Sequence, residues 1–282
     1  MEEHSFAPIS TGKATKQREI GPGGKPIRAR LENITKSFGT IQALKGVDMY
    51  IEEGEVLGLV GDNAAGKSTL TKILAGAEIP DRGRIILDGE EVFFSSPADA
   101  RKRGIEMVYQ DLSLCDTIDV AGNLFLGREP VRNLLGIKYL DKVTMHKEAQ
   151  RMLNYLNIRI QDTHNIVQRL SGGQRQSIAI CRAVSFGPKV LIMDEPTAAL
   201  AVSEVQAVLR LIREVSQQGV SVILITHRLQ DLFGVCDRVM VLYEGIKVAE
   251  RDIEKTNLEE IVRLIVGGGS LSSNSNGNPS SL

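Results

Sequence analysis

Tryptophan is absent from the 282-residue chain, and large aromatics are few, with five Tyr and seven Phe. Any core must therefore be mainly aliphatic. Cysteine is scarce as well. Cys115, Cys181 and Cys236 lie far apart, form no CxxC pair and are odd in number. That spacing builds neither a disulfide framework nor a zinc site, and reduced, mostly buried thiols in a reducing compartment are expected. Charge of one sign is not in excess: 34 Lys and Arg face 35 Asp and Glu, for a net charge of −1. A strongly basic nucleic-acid binder and a polybasic membrane anchor are excluded, so no nucleic-acid partner is expected. No apolar run approaches the roughly 18 residues that a spanning helix needs. The opening MEEHSFAPISTGK lacks the apolar segment of a secretory signal. A cytosolic chain is expected, held against a membrane only through a partner.

What is present is an ordinary globular balance, 42% apolar and 24% charged. Residues 1–26 and the polar run 267–282, GGGSLSSNSNGNPSSL, show no apolar period. Both are expected to be mobile tails around an ordered body at 27–266. Ile27, Ala29 and Leu31 alternate, as do Val47, Met49 and Ile51, and both runs read as half-buried strands. VLGLV (56–60) is a short apolar strand. Strands at 84–87 and 91–94 flank Asp88-Gly89, a hairpin signal, and 105–109 is a further strand. From about 111 to 165 the chain reads as a mostly helical subdomain. VLIMD (190–194) and SVILIT (221–226) are continuous apolar runs, as strands buried on both faces must be. The helix between them is predicted from Ser203, with Ser203 and Gln206 as a capping box. RVMVLY and IKVAE are predicted to pair around Glu244-Gly245, and Thr256 with Glu259 to cap a last helix. Alternating buried strands and helices imply an α/β fold with a parallel sheet covered on both sides.

The chemistry begins at Gly61-Asp62-Asn63-Ala64-Ala65-Gly66-Lys67-Ser68, followed by Thr69. This is the G-x-x-x-x-G-K-[ST] pattern, and it sits where the pattern requires, between an apolar strand and a helix. The glycines let successive N–H groups turn inward onto phosphate oxygens, and the helix N-terminus adds partial positive charge. Lys67 reaches the β- and γ-phosphates, and Ser68 offers its hydroxyl to Mg²⁺. Asp194-Glu195 closes the strand VLIMD, at the sheet edge where such folds bind ligands. Asp194 would hold Mg²⁺ through water, and Glu195 would orient or deprotonate an attacking water. Ser171-Gly172-Gly173-Gln174, at a predicted helix start, makes a second anion site of exposed N–H groups and a hydroxyl.

LSGGQ (170–174), between a phosphate loop and a strand-end Asp-Glu, resembles the ATP-binding cassette (ABC) family of transport ATPases. The resemblance covers about residues 28–266. It implies a P-loop NTPase fold of ABC type: a mainly parallel sheet core, an antiparallel β subdomain and an α-helical subdomain. It also implies roles for three more residues. Gln110 matches the glutamine that senses metal and water and touches the membrane partner. His227 matches the histidine that contacts the γ-phosphate. Phe38 matches the aromatic that stacks on adenine. The other histidines, His4, His146 and His164, are expected to be solvated.

ATP and Mg²⁺ are the implied cofactors. The family's complete site takes its phosphate loop from one copy and its LSGGQ from another, so the resemblance implies a homodimer or a pair with a second ABC ATPase. An ABC permease subunit is the implied membrane partner and a solute-binding protein an indirect one. The implied location is peripheral, on the cytoplasmic face of the inner membrane. GDN at the phosphate loop, Asn123 to Pro130 (NLFLGREP) and EPTAAL after Asp194 resemble the ribose-, xylose- and fructose-type importer branch. Two residues depart from the family pattern. Ala64 stands where glycine is frequent, and its methyl is expected to be tolerated only at φ < 0. Ala201 follows Ala199-Leu200 where an aspartate is usual, which bears on communication between the two sites. Two alternatives stay open: a soluble ABC ATPase outside transport, and a nucleotide-binding regulator with little turnover.

Overall fold

The computed structural model describes residues 18–134, 136–198 and 200–267. The elements in chain order begin with β1 (Ile27–Phe38), β2 (Ile41–Glu52), β3 (Val56–Gly61), α1 (Lys67–Leu74), β4 (Arg82–Leu87), β5 (Glu90–Val92), α2 (Pro97–Lys102) and β6 (Ile105–Val108). Next come α3 (Val120–Phe125), β7 (Val131–Leu134), β8 (Ile137–Leu140), α4 (Lys142–Tyr155) and α5 (Gly172–Val184). The chain continues through β9 (Val190–Asp194), α6 (Val202–Gln217), β10 (Ser221–Ile225), α7 (Leu229–Val235), β11 (Arg238–Tyr243), β12 (Ile246–Asp252) and α8 (Leu258–Gly267).

A six-stranded sheet ordered β12-β11-β3-β10-β9-β6 is parallel except for β12. Its apolar runs divide by parity. Leu57, Leu59, Val190, Ile192, Ile223, Ile225, Met240 and Leu242 face one core. Val56, Val60, Leu191, Met193, Val222, Leu224, Val239 and Val241 face the other. This is why these strands carry no polar alternation. The first core also takes Leu70, Ile73 and Leu74 of α1 and the inner face of an antiparallel sheet ordered β2-β1-β4-β5. The second takes α5, α6 and the helical subdomain. α1 is thus held between two sheets, each fully buried leucine or isoleucine contributing about 1.5–3 kcal/mol, and the loop before it is fixed at the sheet edge.

Arg238 ties the two sheets together. Its Nε donates to Glu55 Oε1 at 2.7 Å and one Nη to the Tyr50 carbonyl at 2.9 Å, and it also pairs with Glu250. Its guanidinium lies 4.0 Å from the Tyr50 ring centre.

Several expectations need correction. Residues 18–26 do not hang free. Ile20 bridges Pro26, Gly23 N donates to Glu52 Oε1 at 2.7 Å, and Arg18 pairs with Glu53 and Asp88. Gly267 ends α8, and residues 268–282 of the expected tail lie outside the described residues, as do residues 1–17, which include His4. The stretch expected to be helical contains α3 and α4 but also the hairpin β7–β8. α6 starts at Val202, not Ser203; Glu204 rather than Gln206 reaches back, accepting from Ala201 N at 3.2 Å. α8 is capped by Asn257, whose Oδ1 accepts from Glu260 N at 2.9 Å, while Thr256 donates to the Glu260 carboxylate. His146 is not solvated: it stacks on His164 with centroids 3.7 Å apart, and burial with the His164 charge lowers its pKa. The Asp88-Gly89 and Glu244-Gly245 hairpins form as predicted. No helix among the described residues is long and apolar enough to cross a membrane.

Candidate functional site

The phosphate loop leaves β3 at Gly61 and enters α1 at Lys67. Gly66 has φ 100°, and a Cβ there would stand 2.8 Å from the Ala43 carbonyl. Only glycine fits both that conformation and that approach. Ala64 has φ 69°, against the expectation of a negative value. The loop geometry demands a left-handed residue at this point, and the alanine adopts it at a cost of about 1–2 kcal/mol. Ala65 N donates to Asp62 O at 3.1 Å and Gly245 N to Ala65 O at 3.1 Å, so the β11–β12 turn braces the loop. Lys67 folds back over the loop, and its Nζ donates to the carbonyls of Gly61 and Asp62, both at 2.9 Å. Burial lowers its pKa, against the pull of Glu195, Asp194 and Asp62.

A cleft of about 670 Å³ opens over this loop. Its walls include Phe38, Asn63, Ala64, Ala65, Gly66, Lys67, Ser68, Thr69, Gln110, Asp194, Glu195 and His227. Residues from separate parts of the chain thus meet at one place, in a volume suited to a small ligand. Phe38 is 46% exposed, with Lys36 Nζ 5.3 Å from its ring centre, so its free face is open to a planar group. Ile41, Gln42, Ala43, Lys45, Ile225 and Glu244 complete the walls. None of these six carries a motif that singles it out in the sequence.

Asp194 and Glu195 stand at the end of β9, beside His227 beyond the end of β10. His227 Nε2 lies 2.6 Å from Glu195 Oε1. Glu195 is held at φ 52°, with its N–H donating to Ile225 O at 2.9 Å. Burial and the Glu195 charge raise the Asp194 pKa, while Lys67 lowers it. Two residues missed in the sequence fix this corner. Thr197 Oγ1 donates to Asp231 Oδ2 at 2.6 Å, both buried, which joins the segment after Glu195 to α7 after His227. Ordinary Thr and Asp in loop and helix give no sequence signal for that bond.

The oxygen donors at this edge suit a hard divalent cation. Asp194 is a half-buried carboxylate next to a second one, and Ser68 and Gln110 are polar side chains on the same cleft. No group of three or more His, Cys, Asp or Glu among the described residues could cage a metal. Mg²⁺ at such an edge would take its remaining ligands from phosphate oxygens and water, as it does where a protein offers only one or two carboxylates.

Ser171, Gly172, Gly173 and Gln174 open α5 and are not among the cleft's lining residues. Ser171 Oγ accepts from Gln174 N at 3.2 Å, and Gln174 Oε1 accepts from Ser171 N at 3.1 Å, a reciprocal cap. α5 is anchored to the segment after Gln110: Arg182 donates to the carbonyls of Leu112 and Ser113, both at 2.9 Å, and Arg175 pairs with Asp116. Ala199, in the segment between Glu195 and α6, lies outside the described residues.

The model of the ABC transporter family matches residues 44–198. The chain is 45% identical over 235 residues to the xylose/arabinose import ATP-binding protein XylG of Sulfolobus acidocaldarius, covering 83% of this chain and 92% of that one. It is 42% identical over 238 residues to the ribose import ATP-binding protein RbsA of Geobacillus kaustophilus, covering 84% of this chain and 47% of that one, so it spans about half of that relative. A crystal structure of a nucleotide-free ATP-binding cassette from an ABC transporter superposes with a TM-score of 0.73 at 27% identity, covering 89% of this chain and all of that one. The phosphate loop, the Asp-Glu strand end and the LSGGQ helix are therefore those of a cassette ATPase, and the chain belongs to the ABC transporter family as an ATP-binding subunit.

Proposed function

We propose that the chain hydrolyses ATP to energise a monosaccharide importer, working as a pair in which each copy completes the other's site. The observation that carries this reading is a separation. Phosphate-loop residues 63–69 with Gln110, Asp194, Glu195 and His227 line one cleft, whereas Gly61 and Asp62 lie outside its lining and so do Ser171–Gln174, with their anion-binding donors. A γ-phosphate seated on Lys67 meets those donors only if a second copy brings them. Two-fold head-to-tail pairing satisfies both sites at once. The pentose import named for both relatives supports sugar as cargo.

In this reading Phe38 stacks on the base. N–H groups of the phosphate loop where it lines the cleft hold the phosphates, and Lys67 exchanges its two loop carbonyls for phosphate oxygens. Ser68, Gln110 and Asp194 would hold Mg²⁺, which would supply charge neutralisation on the phosphates. Glu195 orients the attacking water and accepts its proton. His227 holds the Glu195 carboxylate and faces the terminal phosphate. Gln110, through the segment that Arg182 grips, passes the change to the helical subdomain and an ABC permease. The partner ATPase is a second copy or a related subunit, and the assembly sits on the cytoplasmic membrane face, supplied by a solute-binding protein.

The test is reconstitution with an ABC permease that binds it and the sugar-binding protein that serves that permease. ATP turnover should rise when the loaded sugar-binding protein is added. Turnover indifferent to every pentose and hexose tried, with the permease bound, would contradict the sugar assignment.

A further inference from the structure

A backbone donor at the start of α5 is already occupied by an anion from the same chain. Gly173 N donates to Glu204 Oε1 at 3.1 Å, and Ala201 N donates to Glu204 Oε2 at 3.2 Å. Glu204 also packs on the glycine itself: a Cβ on Gly173 would stand 2.8 Å from the Glu204 Cβ. The glycine at 173 is thus required by an intrachain contact, before any nucleotide arrives. One side chain spans the segment entering α6 and the anion-binding end of α5, and it places a negative charge where the helix field favours an incoming phosphate.

We propose that Glu204 is a positioning residue that occupies, in the separate protomer, the Gly173 donor needed by the terminal phosphate on a second copy. Closing the pair then exchanges one anion for another, and Glu204 sets the ATP concentration at which closure occurs. The inference rests on the paired-site reading above. No covalent bond is made or broken; a carboxylate leaves the Gly173 N–H and a phosphate takes it. Because the same carboxylate holds Ala201 N, its release also frees the segment that leads back to Glu195. A residue that merely braced the two helices would act differently, since replacing its charge by a neutral amide would cost stability and turnover without changing nucleotide demand.

The experiment uses the full chain carrying Glu195→Gln, titrated with Mg²⁺ and ATP and followed by sedimentation velocity, with and without Glu204→Gln. Removing one charge from the end of a helix should lower the ATP midpoint of dimer formation about 2–5-fold. The gap should narrow at high salt, where the repulsion is screened. Glu204→Ser, which also releases the Gly173 N–H, should move the midpoint the same way. With Glu195 intact, Glu204→Gln should lower KM for ATP without raising kcat. An unchanged or higher midpoint in both variants, in a parent that does dimerise, overturns the proposal and leaves the paired site standing. A parent that stays a protomer at saturating ATP overturns both.

Discussion

His227 Nε2 lies 2.6 Å from Glu195 Oε1, although the two residues follow different strands, β9 and β10. The parallel pairing that matches Ile225 with Asp194 puts them side by side. The Thr197–Asp231 bond then keeps their two segments in register. In the proposed mechanism Glu195 is the base and His227 its holder. Glu195→Gln should therefore lower kcat by about 10²–10⁴-fold while ATP still binds. His227→Ala should lower kcat by a smaller factor, because the carboxylate remains. Single-turnover hydrolysis alongside equilibrium ATP binding checks both; normal turnover in the Gln variant contradicts the assignment.

Ala64 gives a prediction of opposite sign to most substitutions. Its φ of 69° carries a left-handed penalty of about 1–2 kcal/mol, whereas glycine adds back about 0.4–1 kcal/mol of unfolded-chain entropy. Ala64→Gly should stabilise the nucleotide-free protein by about 0.5–1 kcal/mol. Urea unfolding measures this directly. A less stable glycine variant would show that the loop holds no such strain.

Asp194 makes stability depend on pH. Burial and the Glu195 charge raise its pKa in the folded chain. The native state therefore holds that proton more tightly than the unfolded state. Just above the ordinary Asp value, this group's contribution grows as pH falls and is lost as pH rises through the raised folded value. Asp194→Asn should remove that slope and raise Tm at neutral pH by about 2 °C, while abolishing Mg²⁺-dependent hydrolysis. Melting curves for both proteins between about pH 4 and 7 provide the check. Parallel curves would contradict a raised pKa at Asp194.

Arg238 tests the joint between the sheets. Its side chain and that of Glu55 are both about one-tenth exposed. Arg238→Met would leave Glu55 and Glu250 without their shared cation, and breaking one side of such a pair costs about 3–5 kcal/mol. Glu55→Gln in the same chain should recover part of the loss, measured as a double-mutant cycle by denaturation.

Much of this site is legible in the sequence because its chemistry needs fixed residue types in a fixed context. The phosphate loop is one contiguous run between a strand and a helix, and Asp194-Glu195 ends an apolar strand. Other features leave no local trace. The sign of φ at Ala64 is set by the loop around it, not by its own preference. β8 is exposed at every residue, so its hairpin with β7 shows no alternation to read. Ser203 looks like a helix cap, yet the chain has already turned helical at Val202, because Glu204 satisfies the Ala201 N–H. The hold of Glu204 on Gly173 joins residues 31 apart, a distance that a single sequence does not bridge.

The central claim is that each copy lends its LSGGQ to the other's ATP, and complementation tests it most directly. Lys67→Ala disables a cleft but leaves the donors of α5 intact, and Ser171→Arg does the reverse. Mixed, the two inactive proteins form some pairs with one whole site, so ATP hydrolysis should rise well above the sum of the separate variants, up to about a quarter of the normal rate if the two-fold sites act independently. A mixture that stays as inactive as its parts, while heterodimers are seen to form, would mean that the site is completed within one chain.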